Sequence, residues 1–462
     1  MTFKEYKGLD LVAVGSEILD RWRERDAFGK SLAVREGAPE FIFFEGPPSA
    51  NGMPGIHHVM ARSIKDAVCR YKTQSGFLVR RRAGWDTHGL PVELGVEKKL
   101  GITKEDIGTK VSVEDYNRAC REEVMKYTAE WRNLTERVGY WVDMDDPYIT
   151  YDNRYIETLW YLLKDIYGKG LLYKGKSIQP YSPAAGTGLS THELNQPGCY
   201  RDVKDTTVCV QFKAIGEEDL YFLAWTTTPW TLPSNTALCV GPDIDYVKVR
   251  STNPYTGAPA TYILAQALVP VWFNGKVEFE VLPGTIKGRE LVGMRYEQLI
   301  PWFRPDEGAF RVIAGDYVTT EDGTGIVHIA PTFGADDARV ARAAGVPPLQ
   351  VIDANGDPQA QVDLKGRFYR IGDLDPAYVA ERVSPDYSEY AGRFVKNAYD
   401  DSLPADAPTL DVDLCVMLKS QGKAFRIEKH VHTYPTAGVP TSPSSTTPWT
   451  AGSSVPPPFA RR

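Results

Sequence analysis

Two short tracts of this 462-residue chain concentrate groups that could do chemistry. The first runs Gly46-Pro47-Pro48-Ser49-Ala50-Asn51-Gly52 and is followed by Gly55-Ile56-His57-His58. A glycine- and proline-rich loop feeding a helix N-terminus presents unpaired backbone N–H groups and the positive end of the helix dipole, and anions bind there. With His57 and His58 to donate hydrogen bonds as charge develops, this tract could cradle nucleotide phosphates. A capping or surface pair of histidines is the alternative reading. The second tract, Trp225-Thr226-Thr227-Thr228-Pro229-Trp230-Thr231-Leu232-Pro233-Ser234-Asn235, crowds hydroxyls, an amide and two indoles into eleven residues. Read by residue type alone it is a strand edge entering a proline-rich turn, where β-branched threonines are common. No serine triad or metal-ligand box accompanies it, so hydrolysis there would rest on positioning and polar stabilisation.

The elements around these tracts follow from periodicity. Leu11, Ile18, Leu19 and Trp22 fall at helical spacing, which predicts a helical N-terminal extension over 1–40. Phe41-Ile42-Phe43-Phe44 predicts a buried strand entering the Gly/Pro loop. From His57 onward a helix is expected, with Ile64, Ala67, Val68 and Tyr71 on one face and Arg62, Lys65, Asp66 and Arg70 on the other. Phe77-Leu78-Val79 reads as a second strand, Gly84–Gly89 as a loop, and Pro91 to Leu100 as a helix closed by Gly101. Strand, loop, helix repeated is the start of a βαβ architecture, with residues 112–170 mainly helical. Beyond about residue 200 short β-type runs dominate: Thr207–Phe212, Leu220–Trp225, Thr236–Val240 and Tyr246–Val249. The expected organisation is therefore an α/β first domain over 41–200, a β-rich domain over 201–395, a segment over 396–435 leading back to the first, and a disordered Pro/Ser/Thr/Gly-rich tail over 436–462.

Composition narrows the function less than the motifs do. The chain carries 53 basic and 60 acidic side chains, a net charge of -7, and 42% apolar residues. No long uncharged apolar run and no basic start followed by an apolar stretch is present, so no membrane partner and a cytoplasmic location are expected. The six cysteines, Cys69, Cys120, Cys199, Cys209, Cys239 and Cys415, form no C-x-x-C pair, which argues against a disulfide framework and against zinc. An acidic total gives no global nucleic-acid signature. The local cluster Lys65, Arg70, Lys72, Arg80, Arg81 and Arg82 is a candidate nucleic-acid or phosphate contact, with a solvated face as the alternative.

The string FFEGPPSANGMPGIHHVMARSIKDAVCRYKTQSGFLVRRRAGWDTHGLPVELGVEKKLG resembles the N-terminal half of the catalytic domain of class I aminoacyl-tRNA synthetases, and within that class the isoleucyl family, from which the tract GWDTHGLPVEL excludes the valyl and leucyl relatives. The resemblance implies the first half of a Rossmann-type nucleotide-binding fold with an inserted β-rich editing domain. It implies ATP with Mg2+, L-isoleucine and tRNA(Ile) as substrates, and a monomer. On the same ground Gly46, Pro47 and Asp86 would hold the amino acid, Asp86 pairing its α-ammonium. That role is physically sensible, because an ammonium leaving water needs a fixed anion; helix capping by Asp86 is the alternative. Pro48, Asn51, Gly55 and His58 would contact ATP, and Trp85 and His88 would shape the pocket. In the β-rich domain, Thr227, Thr228, Thr231 and Asn235 would position a mischarged ester and a hydrolytic water. His328, in Gly325–Pro331, would help exclude the larger isoleucyl group, and Asp337 would hold the ammonium of the misattached amino acid. A second site is needed because one methylene in an apolar pocket is worth only about 1–3 kcal/mol, the general figure for which isoleucine against valine is the standard illustration.

Two departures from the family pattern carry consequences. The class signature is His-hydrophobic-Gly-His, whereas this chain has Gly55-Ile56-His57-His58, so only His58 keeps its place. The expectation is that His57 partly substitutes for the missing first histidine. After His432-Thr433-Tyr434-Pro435 the resemblance stops. A family-like tract, HCWRTDKPLIYYAVDSWFI, written as codons and read one base late, translates into Thr436 to Ser453, which predicts a reading-frame shift near Pro435. No KMSKS-type string follows, so no aminoacylation is expected of this chain, and a stand-alone editing hydrolase, a tRNA-binding remnant and a valyl enzyme are the alternatives.

Overall fold

The computed structural model describes residues 8, 10–173, 178–183, 187–195, 198–275, 278–399, 402–403, 407–435, 450–453 and 460–461. The chain divides into two compact units, Met1–Leu172 and Tyr173–Arg462.

In the first unit the helices Leu11–Glu24 (α1) and Ala27–Ala33 (α2) form the N-terminal extension, and each is opened by an aspartate. Asp10 accepts from the Val12 and Ala13 N–H groups and Asp26 accepts from Gly29, satisfying donors that a helix start leaves unpaired. The loop 41–55 then enters helix Ile56–Gln74 (α3). Strand Arg82–Trp85 (β1), helix Leu90–Leu100 (α4), helices Val113–Val124 (α5) and Thr128–Arg137 (α6), strand Asp143–Ile149 (β2) and helix Asn153–Gly168 (α7) complete the unit. Pro91 opens α4 and Gly101 ends it in the left-handed region at φ 66°, as the sequence predicts. β1 and β2 pair in parallel with Gly84 opposite Tyr148, where a Cβ on Gly84 would fall 2.2 Å from the Tyr148 ring. Only glycine lets the two strands close there.

Two sequence expectations are corrected in this unit. The run Phe41–Phe44 is extended but is no strand: a single parallel bridge joins Glu40 to Leu78, with the Phe41 N–H donating to the Leu78 carbonyl at 2.9 Å. Phe77–Val79 contributes only that bridge, and Ile42 and Phe44 are exposed. The second correction concerns α3, whose faces are reversed from the expected pattern. Arg62, Cys69 and Thr73 are its buried residues, while Ile56, Met60, Ile64, Val68 and Tyr71 are exposed. The polar face is satisfied inside the unit. Arg62 donates to Thr135 at 3.1 Å and lies over Trp131, and the Asp66 carboxylate takes Arg70 at 2.5 Å and the Trp141 N–H at 3.1 Å. Amphipathicity specifies that one face wants cover, but a network of buried hydrogen bonds can hold the other face instead.

The same network ties up Lys65, Arg70 and Arg81 of the basic cluster, while Arg80 and Arg82 stay exposed in surface ion pairs. Arg81 is 2% exposed and donates to Thr73 and to the Trp141 carbonyl. Lys65 pairs with Glu45, Arg80 with Glu40 and Arg82 with Asp146, while the Lys72 ammonium sits over the Phe41 and Phe77 rings. Helix α7 carries Leu159, Trp160, Tyr161 and Leu162 exposed and buries no residue. Replacing Trp160 by glutamate and Tyr161 by lysine is therefore expected to leave Tm within about 2 °C and to lower the binding of an apolar fluorescent dye. A Tm loss well beyond that would show that these rings are packed.

The second unit is built on a seven-stranded sheet. Its labelled strands are Tyr200–Lys213 (β3), Leu220–Thr226 (β4), Asp245–Thr252 (β6), Pro259–Ala265 (β7) and Ala424–Pro435 (β10). Across the sheet the order is Glu280–Val281, β6, β7, β4, β3, β10, with Ile286–Lys287 also on β6. A three-stranded sheet places Ala237–Val240 (β5) between Arg311–Ala314 (β8), parallel to it, and Ile326–Ile329 (β9), antiparallel with His328 opposite Leu238. Residues 206–212 of β3 are buried on both faces, so the sheet reads as a continuous run rather than an alternation. Phe222, Leu223, Tyr262, Trp302 and Tyr387 fill the core around it. Helices Ala335–Ala344 (α8) and Leu410–Ser420 (α9) flank the sheets.

The four predicted β runs all fall inside or against these strands. Residues 396–435, expected to lead back to the first domain, instead belong to the second unit: β10 pairs with β3 from Ala424↔Val210 to Pro435↔Tyr200. Of the tail expected to be disordered, Thr450–Ser453 and Ala460–Arg461 are short strands, the former pairing with Gln179–Ser182, and the rest of 436–462 lies outside the described residues.

Candidate functional site

The two tracts lie in different units, so there are two candidate sites. In the first unit the loop 46–52 is fixed from several sides. The Tyr148 hydroxyl donates to the Glu45 carbonyl at 2.7 Å, the Tyr127 N–H to the Ala50 carbonyl at 3.0 Å, and the Trp131 indole to the Gly52 carbonyl at 2.9 Å. The Asp86 N–H donates to the Pro48 carbonyl at 2.9 Å, which brings the Asp86 backbone beside the Gly46-Pro47-Pro48 turn. Asp86 itself is exposed, and beside it Thr150 accepts from the Thr87 N–H and meets His88 Nδ1 at 3.0 Å. A carboxylate held next to a loop of free backbone groups at the end of β1 is a place where an amino-acid zwitterion could be read.

The histidine pair divides its work. Gly55 is the N-cap of α3, and its N–H donates to His58 Nδ1 at 2.9 Å, so His58 caps its own helix and carries its proton on Nε2. Burial, with His57 and Arg62 nearby, lowers the His58 pKa, which keeps the ring neutral at pH 7. His58 also meets the Trp131 ring edge-on at 4.5 Å. His57 is exposed, 3.8 Å from the His58 ring, and a Cβ on Gly55 would approach its Cε1 to 2.9 Å. The absent side chain at position 55 is what leaves room for the His57 ring. Asn51 lies half-buried in the same loop. Capping and anion binding are both open to His58, since the cap uses Nδ1 and leaves the Nε2 hydrogen to donate.

In the second unit β4 delivers the threonine tract and a short 3-10 turn, Pro229–Ser234, bends it back. The hydroxyls form a chain. Thr226 Oγ1 accepts from the Thr228 N–H at 3.1 Å, Thr228 and Thr231 hydroxyls lie 3.4 Å apart, and the Thr231 hydroxyl donates to the Thr228 carbonyl at 2.9 Å. Thr231 Oγ1 also meets His328 Nε2 at 3.2 Å. Because the threonine hydrogen is spent on the carbonyl, the proton in this contact belongs to His328 Nε2. Nδ1 is then a bare acceptor, buried with no hydrogen-bond partner among the described residues. Burial lowers the His328 pKa to about 4, so the ring is neutral at pH 7. Gly325 makes this placement of β9 possible: its φ is 75°, a Cβ there would fall 2.4 Å from that of Ala265, and its carbonyl accepts from Tyr246 at 2.6 Å.

Asp337 stands in the first turn of α8 and accepts from the Ala330 N–H at 2.9 Å, just beyond the strand that carries His328. Burial raises its pKa to about 6 against the opposing pull of that N–H, so near neutral pH it is a strained, desolvated carboxylate. Such a group gains most from a cation brought to it. Thr227 is half-buried beside the turn. Asn235 is 2% exposed with both ends of its amide engaged, donating to the Ala237 carbonyl at 2.8 Å and accepting from the Tyr296 hydroxyl at 2.7 Å. Its place is that of a strut between the turn and β5. Three further residues, silent in the sequence, serve the tract: Tyr296 as above, and Asp411 and Lys396 beneath the turn. Nothing in composition or spacing points to the last two, because they meet the tract only through the fold.

A Gly/Pro loop feeding a capped helix beside a parallel strand pair, together with a threonine-lined site in a separate β-rich unit, describes a class I synthetase domain of α/β content. The chain belongs to the class I tRNA synthetases (I, L, M and V), whose family model matches residues 17–413. Within that family it is 64% identical to the isoleucine–tRNA ligase of Bacteroides fragilis over 456 residues, 94% of this chain and 40% of that protein. The isoleucine–tRNA ligases of Porphyromonas gingivalis and Cytophaga hutchinsonii are 63% and 53% identical, with the same shares covered. The chain thus spans about two fifths of the length of these curated relatives. Among the described residues no helix is long and apolar enough to cross a membrane, and no group of three or more His, Cys, Asp or Glu side chains is placed to hold a metal ion.

Proposed function

We propose that this chain carries the hydrolytic site and part of the ligase site of an isoleucine–tRNA ligase, acting on L-isoleucine, ATP with Mg2+ and tRNA(Ile). The observation that carries the reading is the 64% identity to such a ligase along nearly the whole chain. The geometry supports the hydrolytic half best. Thr228, Thr231 and the neutral His328 form one hydrogen-bonded cluster, in which the threonine hydroxyls would position the ester and a hydrolytic water and His328 would help exclude the larger isoleucyl group. Asp337 would supply the anion for the ammonium of a misattached valine and Thr227 would line the same site, while Asn235, both ends of its amide engaged, would brace the turn. In the ligase half, Gly46, Pro47 and Asp86 would receive the amino acid. Pro48, Asn51, Gly55 and the Nε2 hydrogen of His58 would face ATP, with His57 supplying a second donor from its shifted position.

Val-tRNA(Ile) and Ile-tRNA(Ile) incubated with the chain in the absence of ATP test the hydrolytic half. Valine release is expected to exceed isoleucine release by at least about tenfold, the size of a one-methylene discrimination. Equal rates, or none above buffer, would remove this reading. That all six hydrolytic candidates lie within Tyr173–Arg462 favours an activity of this unit independent of ATP. The ligase half is tested in the full-length protein by amino-acid-dependent pyrophosphate exchange, where a preference for valine over isoleucine would overturn the assignment.

A further inference from the structure

The threonine turn is held by a buried chain of charges that neither the sequence motif nor the hydrolytic residues account for. A six-residue 3-10 segment has poor internal hydrogen-bond geometry and leaves its first donors unpaired. Pro229 has no N–H, and the Thr228 side chain makes no cap to the segment. The Trp230 N–H is therefore the orphan donor of the turn, on a residue only 2% exposed. Asp411 Oδ1 takes it at 3.0 Å. Asp411 lies in the first turn of α9, where a carboxylate is favoured by the helix N-terminus, and it is 1% exposed. Its second oxygen meets Lys396 Nζ at 3.0 Å, and the same ammonium meets Asp205 Oδ2 on β3 at 3.0 Å. Asp205 in turn faces His432 Nε2 on β10 at 3.2 Å. The next residue after Trp230 is Thr231, whose hydroxyl touches both Thr228 and His328.

We propose that Asp411 is a positioning residue for the threonine-lined site, fixing the Trp230 backbone so that Thr228 and Thr231 are held against His328, with Lys396 clamping Asp411 to the sheet through Asp205. The kinetic part of this inference rests on the hydrolytic reading above; the structural part does not. A charge is used here because it binds an N–H about twice as strongly as a neutral acceptor, and its cost in burial is opposed by the Lys396 pairing, by the Trp230 N–H and by the helix N-terminus.

The test uses the full chain in four forms: wild type, Asp411→Ala, Asp411→Asn, and Asp411→Asn with Lys396→Met. Two readouts are taken, amide hydrogen exchange of peptides spanning 226–235 and 245–252, and single-turnover deacylation of Val-tRNA(Ile) across enzyme concentration. In Asp411→Ala the 226–235 peptide is expected to exchange at least about tenfold faster while 245–252 stays protected, and the maximal rate is expected to fall about tenfold or more, with half-saturation changed less than about threefold. Asp411→Asn keeps an acceptor for Trp230 but turns an amide toward the ammonium, so it falls between. Adding Lys396→Met removes the clamp as well and leaves the Asp205 carboxylate with only His432 beside it, so exchange and rate are expected to show no recovery over Asp411→Asn alone. Equal acceleration of both peptides in Asp411→Ala, or a double variant that is protected throughout yet still slow, would overturn the proposal. An unchanged 226–235 peptide would overturn it as well. A wild-type chain that hydrolyses nothing would instead overturn the hydrolytic reading, while the exchange data still decide whether Asp411 fixes the turn.

Discussion

Asp337→Ala is expected to slow the hydrolysis of Val-tRNA(Ile) by about two to three orders of magnitude, because an ammonium left without its buried counter-charge costs about 3–5 kcal/mol. The carboxylate is desolvated enough for its pKa to stand near 6, and a cation brought beside it relieves that strain. On the hydrolytic reading proposed above, the rest of the tRNA would be held outside this site, so the loss should appear in the maximal single-turnover rate rather than in half-saturation. Asp337→Asn separates the charge from the scaffold. Its amide oxygen can still accept from the Ala330 N–H, so the first turn of α8 stays tied to the end of β9. It is expected to lose nearly as much activity as the alanine variant with a Tm at pH 7 no lower than that of wild type, since the amide carries no desolvated charge. N-acetylvalyl-tRNA(Ile), which has no ammonium, provides the cross-check: wild type and Asp337→Asn should hydrolyse it at the same slow rate. If Asp337→Asn retained activity on Val-tRNA(Ile) to within about threefold, Asp337 would be a capping residue and the ammonium would be held by another group.

What could be read from the sequence follows the range of the interactions involved. The α4 boundaries were legible because Pro91 and Gly101 are local signals whose backbone preferences need no partner. The strands β3 to β6 were legible because apolar β-branched runs between turns specify a strand wherever it packs. Phe41–Phe44 carries the same kind of signal, yet becomes an unpaired extended segment, since a strand exists only through its neighbour and only the single Glu40–Leu78 bridge is supplied among the described residues. The reversal of α3 has a related origin. Periodicity located its apolar stripe, but the partners that decide which face is held, Thr135, Trp141 and Gly139, lie about seventy residues away. At the sites, the Gly/Pro loop, His58 and the threonine tract carried recognisable chemistry in their residue types, whereas His328 and Asp337 were named only through the resemblance to the isoleucyl family. Asp411 and Lys396 carried neither signal, because a buried aspartate and lysine look like surface charges until the fold brings them under Trp230.

Acidification should expose a compensation between His328 and Asp337 that the wild-type protein conceals. Burial lowers the His328 pKa from 6.5 to about 4, so between these values the unfolded chain takes up a proton that the folded site refuses. Stability from this group is therefore lost as pH falls through that window, on the order of 3 kcal/mol in all. Asp337 works in the opposite direction. Its folded pKa of about 6, against 3.8 ordinarily, means that the folded site holds a proton that the unfolded chain has released, so stability rises as pH falls from about 6 to 4 by a similar amount, on the order of 3 kcal/mol. The two contributions nearly cancel in the wild type. Asp337→Asn removes the second and is expected to lose about 3 kcal/mol relative to wild type between pH 6.5 and 4, read from the exchange of amides in β5 and β9, whereas parallel curves would mean that Asp337 is ionised throughout. The same two values set the working range of the site. Neutral His328 and ionised Asp337 coexist only above about pH 6, so hydrolysis should rise through that pH with Asp337 and show no further change attributable to His328.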